Sequence, residues 1–278
     1  EFCGNGCDDD CDGLTDEGCT SGGTTGWALR IGDLGNDYGY AVATDGSGNV
    51  LVTGRFEGSV DFGGGPLTSA GNTDVFVAKY SGASGAHLWS RRFGAASSDQ
   101  GLGIATDASG NVFVTGSFSG SVDFGGGALA SAGFGDIFVV KLAGADGSHL
   151  WARAFGGTSS SDFGNAVATT SSGDVVVTGT YIGAVSLGGG AVTSWGNEDV
   201  FVARYAGADG AYVWSRRFGS SSGDFGRAVA VDPSGDVLVT GSFWFSVDFG
   251  GGALTSAGDR DIFVVKYAGA DGTYRWAR

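Results

Sequence analysis

Tyr40-Ala-Val-Ala-Thr-Asp-Gly-Ser-Gly-Asn-Val-Leu-Val-Thr-Gly-Arg-Phe56 is the stretch on which the fold turns. Two runs, YAVAT and NVLVTGRF, flank Asp45-Gly46-Ser47-Gly48. Both are rich in β-branched and apolar residues, and a short cluster of turn formers between such runs predicts a hairpin. The same turn recurs later as Asp232-Pro233-Ser234-Gly235. Proline suits the second position of a type I turn, and glycine suits the left-handed residue that follows.

Working outward, the stretch belongs to a repeat. Trp27, Trp89, Trp151, Trp214 and Trp276 stand 62, 62, 63 and 62 residues apart. Asp37, Asp99, Asp162 and Asp224 keep that register, as do the V-T-G triplets from Val52, Val114, Val177 and Val239. Asp74, Asp136, Asp199 and Asp261 each open a D-[VI]-F-V run in the same register. A second hairpin joins Asp74–Tyr80 to His87–Phe93, and its turn reads A-D-G at Ala145, Ala208 and Ala270. The strands are apolar on both faces, which fits sheets stacked between sheets rather than sheets with one wet face. This predicts an all-β propeller of four-stranded blades. The blades cover about 37–93, 99–155, 162–218 and 224–278, with an extra N-terminal strand at Trp27. The rival is an open β-solenoid, whose rungs run to roughly 20–30 residues.

The runs G-x-A-V-A-T-D, S-G-N-V-x-V-T-G, D-[VI]-F-V-A-K-Y and L-W-S-R-R-F-G resemble the bacterial SBBP β-propeller repeat over residues 27–278. The resemblance implies four-stranded blades in a secreted or cell-surface protein, and no particular reaction. Between its second and third strands each unit inserts S-V-D-F-G-G-G-x-L-T-S-A-G or a variant, read as an extra β-loop on the blade's flank.

Residues 1–19 form a separate unit. They hold seven acids and no base, and all four cysteines: Cys3, Cys7, Cys11 and Cys19. An even, clustered set of cysteines predicts two disulfides and an oxidising compartment, with three pairings open. The spacing C-x3-C-x3-C-x7-C lacks the paired CxxC of a zinc ribbon. Within it, Asp8, Asp10 and Asp12 alternate ahead of Gly13. Carboxylates so spaced converge on one hard cation when the loop curls, so calcium is the expected cofactor. Leu14 would add its carbonyl, and Asp16 or Glu17 a closing carboxylate. A full EF-hand fails because its twelfth position is Cys19. The segment resembles a metal-binding motif of bacterial secreted proteins in which an aliphatic residue stands where Cys7 stands here. Residues 20–26 (TSGGTTG) read as a flexible linker.

The net charge is −15. Outside the N-terminal unit 23 acids still face 15 bases, which argues against nucleic acid or anionic lipid as a partner. No apolar run approaches a membrane span. With no methionine and no visible signal segment, the chain reads as a mature or excised product.

Groups that recur once per unit are read as structural. His87 and His149 fill a slot that holds Tyr212 and Tyr274 elsewhere. Lys79, Lys141, Arg204 and Lys266 lie within apolar strands, with Asp74 or Asp45 as expected partner types. Ligand contact is expected where units differ: Tyr40 and Arg227, which share one register position, and the off-register Trp195 and Trp244. The expected function is a non-catalytic extracellular module for adhesion or surface and filament assembly. A lectin-like glycan binder and the propeller part of a larger secreted enzyme are the alternatives. Five Trp strands against four of each other type leave one strand surplus, so self-association or continuation in a longer chain is expected.

Overall fold

The structure is a computed structural model and describes residues 26–158 and 160–278. The expected disulfide and calcium residues of segment 1–19, and linker residues 20–25, lie outside the described residues.

The first repeat forms β1 (Tyr38–Thr44), β2 (Val50–Phe56), β3 (Ser59–Asp61), β4 (Pro66–Thr68), β5 (Asp74–Tyr80) and β6 (His87–Phe93). The second forms β7 (Gln100–Thr106), β8 (Val112–Phe118), β9 (Ser121–Asp123), β10 (Ala128–Ala130), β11 (Asp136–Leu142) and β12 (His149–Phe155). The third forms β13 (Phe163–Thr169), β14 (Val175–Ser186), β15 (Ala191–Tyr205) and β16 (Tyr212–Phe218). The fourth forms β17 (Phe225–Val231), β18 (Val237–Asp248), β19 (Ala253–Tyr267) and β20 (Tyr274–Ala277). Each repeat is one four-stranded antiparallel sheet, with its Trp-bearing strand at one edge. The flank insertion is a β-hairpin, separate as β3–β4 and β9–β10 and continuous with the middle strands in the last two blades. No helix occurs among the described residues.

The turns follow the expected chemistry. Gly48 is left-handed (φ 78°) and donates its N–H to Asp45 O at 2.9 Å. Asp45 Oδ1 accepts from the N–H groups of Ser47 and Asn49, both at 2.9 Å, which holds the loop in an Asx turn.

The core lies between blades rather than within them. Leu51, Val75 and Val77 of the first sheet pack on Val112, Val114 and Phe138 of the second. Phe113, Ile137 and Val139 of the second pack on Val175, Val177 and Phe201 of the third. Val176, Val200 and Val202 pack on Val237, Val239 and Phe263 of the fourth. Middle strands packed on both sides have two buried faces: β5, β8 and β11 are buried along their whole length.

The inner strands pack in series, β1 on β7, β7 on β13 and β13 on β17. The outer face of the fourth blade stays open, and that of the first is open only along its inner strand, since Phe56, Phe62, Phe76, Ala78 and Tyr80 are buried with Trp27 and Ile31 packed against them. Val42 is 67% exposed, where its equivalents Ile104 and Val167 are 7% and 8%. Ile262 is 76% exposed, where Val75, Ile137 and Val200 are 0%. The four blades thus form a series with one uncovered end face and one that the Trp27–Ile31 segment partly covers.

The N-terminal segment corrects one expectation. Residues 26–37 form no strand, because no neighbouring strand offers them a ladder. Trp27 nevertheless takes the seat of a fourth-strand tryptophan. Its indole N–H donates to Gly82 O at 2.9 Å, as Trp89 does to Gly144 O at 3.1 Å.

Candidate functional site

The recurring polar groups are spent on the fold. Lys79 Nζ lies 2.8 Å from Asp45 Oδ2 and donates to Gly144 O of the next blade at 2.7 Å. Lys141 repeats this with Asp107 at 3.1 Å and Gly207 O at 2.9 Å, and Arg204 pairs with Asp174 at 2.7 Å. Of the two expected partner types, the Asp45 series is therefore the right one. Asp74 lies at the opposite end of its strand and pairs with Arg92. Burial alone would raise the Asp45 carboxyl, but hydrogen bonds from Lys79 and Asn49 outweigh it and hold it well below the usual carboxylate range. Clefts of about 530, 390 and 410 Å³ recur beside these pairs at the three junctions, between the hairpin turns of adjacent blades. Their repetition marks them as a by-product of stacking.

The His/Tyr slot is a lid over the glycine triplet. A Cβ on Gly64 would lie 2.5 Å from His87 Cε1, and one on Gly189 would lie 2.3 Å from the Tyr212 hydroxyl. The triplet is flat so that a ring can lie on it. The Asp37 series clamps each blade's start: Asp99 accepts from Ala95 N–H at 3.0 Å and Ser119 N–H at 2.9 Å.

What is not repeated gathers between the third and fourth blades. A cavity of about 430 Å³ opens between β13 and β17, lined by Phe163, Asn165, Ile182, Glu198, Phe225 and Arg227. Asn165 Nδ2 donates to Gly226 O at 2.8 Å and to Thr180 Oγ1 at 3.2 Å, tying the two blades at the cavity wall. Arg227 and Arg260 both lie over the Phe225 ring, at 4.7 and 4.6 Å, and Arg260 also reaches the Trp244 ring at 5.4 Å. Apolar rings, an amide, a carboxylate and guanidinium groups therefore share one mouth. Such a set gives an apolar platform with directional polar groups around it.

The four residues expected to contact a ligand do not form one site. Arg227 lines the cavity, and Trp244 adjoins it through Arg260. Tyr40 lies on the first blade, stacked on Tyr38 at 5.9 Å beneath Arg55. Trp195 lies on the third blade's hairpin arm, covered by Arg217 at 4.1 Å. Phe163 and Phe225 were missed. They follow the Asp162 and Asp224 markers, where the other repeats have Tyr38 and Gln100, so comparing that column would have found them.

Three stretches, residues 26–55, 88–117 and 213–242, match the SBBP Beta-propeller repeat. The chain is 30% identical over 113 residues to a protein of Acanthamoeba polyphaga mimivirus described as uncharacterized WD repeat-containing protein L264. That match takes in 34% of this chain and 8% of the relative. Among solved structures it is similar to BamB from Moraxella catarrhalis, at 12% identity and TM-score 0.40, over 90% of this chain and 52% of that one. It is also similar to a quinohemoprotein alcohol dehydrogenase from Comamonas testosteroni, at 13% identity and TM-score 0.45, over 89% and 37%. The chain thus spans a small part to about half of the length of these proteins.

Proposed function

We propose that this chain of SBBP β-propeller repeats is a non-catalytic extracellular module for adhesion or surface assembly. The observation that carries this reading is the uncovered outer face of the fourth blade, where Ile262 and Val264 stand at positions that are buried at every internal junction. Large apolar faces of this kind serve association. Light scattering at micromolar concentration is expected to give a mass above that of one chain. Hydrolase and lyase screens on polysaccharides and esters are expected to be blank. Turnover abolished by a single substitution within residues 27–278 overturns the non-catalytic reading.

Calcium on Asp8, Asp10, Asp12, Leu14 and Asp16 or Glu17 is part of the same proposal, with the segment pinned by two disulfides. Calcium that binds only the folded loop stabilises it by mass action. Oxidised protein is expected to bind calcium at millimolar affinity or better by calorimetry, and Asp10→Ala or Asp12→Ala to abolish binding. No heat of binding to the unsubstituted chain rejects the calcium loop.

The cavity between the third and fourth blades favours a second reading, a saccharide binder. A sugar's C–H face suits Phe163, and its hydroxyls suit Asn165, Glu198 and Arg227. A glycan array tests it: hits lost in Arg227→Ala support it, and an empty array removes it.

A further inference from the structure

We propose that the outer face of the fourth blade docks onto the first blade of a second copy, head to tail, and that the Trp27 segment must leave its seat for this to happen. The proposal rests on the assembly reading above and names its partner and its surfaces.

The three internal junctions define what such a contact looks like. Each preceding blade presents a buried threonine to a glycine of the next blade's inner strand. A Cβ on Gly101 would lie 3.4 Å from Thr53 Cβ, and one on Gly164 would lie 3.3 Å from Thr115 Cβ. Each preceding blade also sends a tryptophan N–H to a carbonyl of the next: Trp89 to Gly144, Trp151 to Gly207 and Trp214 to Gly269, at 3.1, 3.1 and 2.7 Å.

The fourth blade holds the presenting half of this contact unspent. Thr240 is partly exposed where Thr53, Thr115 and Thr178 are fully buried. Val264 beside Ile262 is partly exposed where Val77 and Val202 are fully buried, and the Trp276 indole has no hydrogen-bond acceptor among the described residues. The first blade holds the receiving half. Gly39 is exposed, and a Cβ there would meet only Val52, at 3.7 Å. The two halves match because each is a copy of a half already engaged three times within the chain. A partner of this sequence is therefore the occupant these faces describe. The contact is heterologous, so the two patches differ.

Part of the receiving half is already occupied: Phe62, Phe76 and Tyr80 are buried with Trp27 and Ile31 packed against them, and this segment must lift away. Gly82 O accepts from Trp27, whose ring also lies against Gly85 as the Trp89 ring lies against Gly147. Trp276 of an incoming copy needs the same carbonyl. Trp27 is therefore an internal competitor for the docking site.

The test is heterotypic cross-linking of the full chain. Disulfides form across Cβ separations of about 3.5–4.5 Å. Thr240→Cys on one copy and Gly39→Cys on another are expected to give a covalent dimer when mixed and mildly oxidised. Neither variant alone is expected to do so, which also controls for Cys3, Cys7, Cys11 and Cys19. Trp27→Ala is expected to raise the yield. Ile262→Arg, at an exposed position, is expected to leave the circular dichroism unchanged and to lower the yield roughly tenfold or more by burying an unpaired charge. A mixture yielding no more dimer than the single variants, with and without Trp27→Ala, overturns this docking mode. If light scattering still gives a mass above one chain in that case, the assembly reading stands without it. A monomeric mass for both the unsubstituted chain and Trp27→Ala removes both.

Discussion

Gly116→Ala is expected to unfold the second blade or cost about 3 kcal/mol or more, at the upper end of overpacking penalties. The glycine of each V-T-G triplet faces a bulge in the inner strand, where the register slips between Gly101 and Gly103 and at the equivalent points of the other blades. The bulge brings a carbonyl across the glycine. A Cβ on Gly116 would lie 1.9 Å from Gln100 O and 2.9 Å from the Phe138 ring. Neither can retreat, because β7 and β8 are held by their ladder and Phe138 is fully buried between blades. Gly46→Ala is the control. It sits in a hairpin turn with nothing within 4 Å of its would-be Cβ and no left-handed φ, so its stability is expected to stay within about 0.5 kcal/mol of the parent. Urea unfolding of the two variants checks this. Equal midpoints reject the bulge account of the V-T-G motif.

Stability is also expected to fall as pH rises from about 4 to 6, at the junction of the second and third blades. Asp162 is fully buried, and burial pushes its carboxyl up to about 6, with the neighbouring Asp136 raising it further. Asp136 is itself raised by burial, and its Oδ1 has no hydrogen-bond partner. In the first blade Arg92 pairs with the equivalent Asp74 and in the third Arg217 stands at that position, but the second has Ala154 there. A carboxyl whose folded pKa is raised stabilises the fold only while it keeps its proton. Below its ordinary value of 3.8 both folded and unfolded states hold the proton. Between 3.8 and about 6 only the folded state holds it, and stability falls with each step in pH. The loss for Asp162 is on the order of 3 kcal/mol and is complete above that window. Asp199, pushed up to about 6 mainly by burial, adds to the same slope, since Arg217 spends one nitrogen on Thr193 O. Asp232 works in the opposite sense. Its partner Lys266 holds it down to about 2, so its contribution is lost only at lower pH and leaves this window untouched. Ala154→Arg is expected to restore the missing cation, flatten the slope and stabilise the chain at pH 7 by about 1–2 kcal/mol. Melting temperatures measured from pH 4 to 7 decide the matter. A flat profile in the parent chain, or no gain in the variant, rejects the uncompensated pair.

The sequence by itself determined the repeat, its strands and its turns. Those rest on local rules: β-branched runs alternate with Asp-x-x-Gly turns, and a glycine with positive φ can be placed from its neighbours alone. Trp89, Lys79 and His87 were legible as structural for a related reason, since a group needed once does not recur in every unit. The column of residues that differ between repeats held Asn165 and Arg227, and so pointed near the cavity between the third and fourth blades.

The tertiary structure alone decided what faces what. The N-terminal strand at Trp27 looked like its fourth-strand equivalents in sequence, yet a strand needs a ladder, and residues 26–37 lie on the first blade through side-chain contacts without pairing to any of its strands. Lys79 chose Asp45 over Asp74 because the hairpin turn returns Asp45 to the same end of the blade. Phe163 and Phe225 became neighbours of one cavity only through the stacking of β13 on β17, across 62 residues of chain. Val42 and Ile262 carry the same sequence pattern as their buried equivalents, and nothing local separates them. Whether such a residue is core or open surface depends on a blade lying against it, and that is a property of position in the stack rather than of the residue.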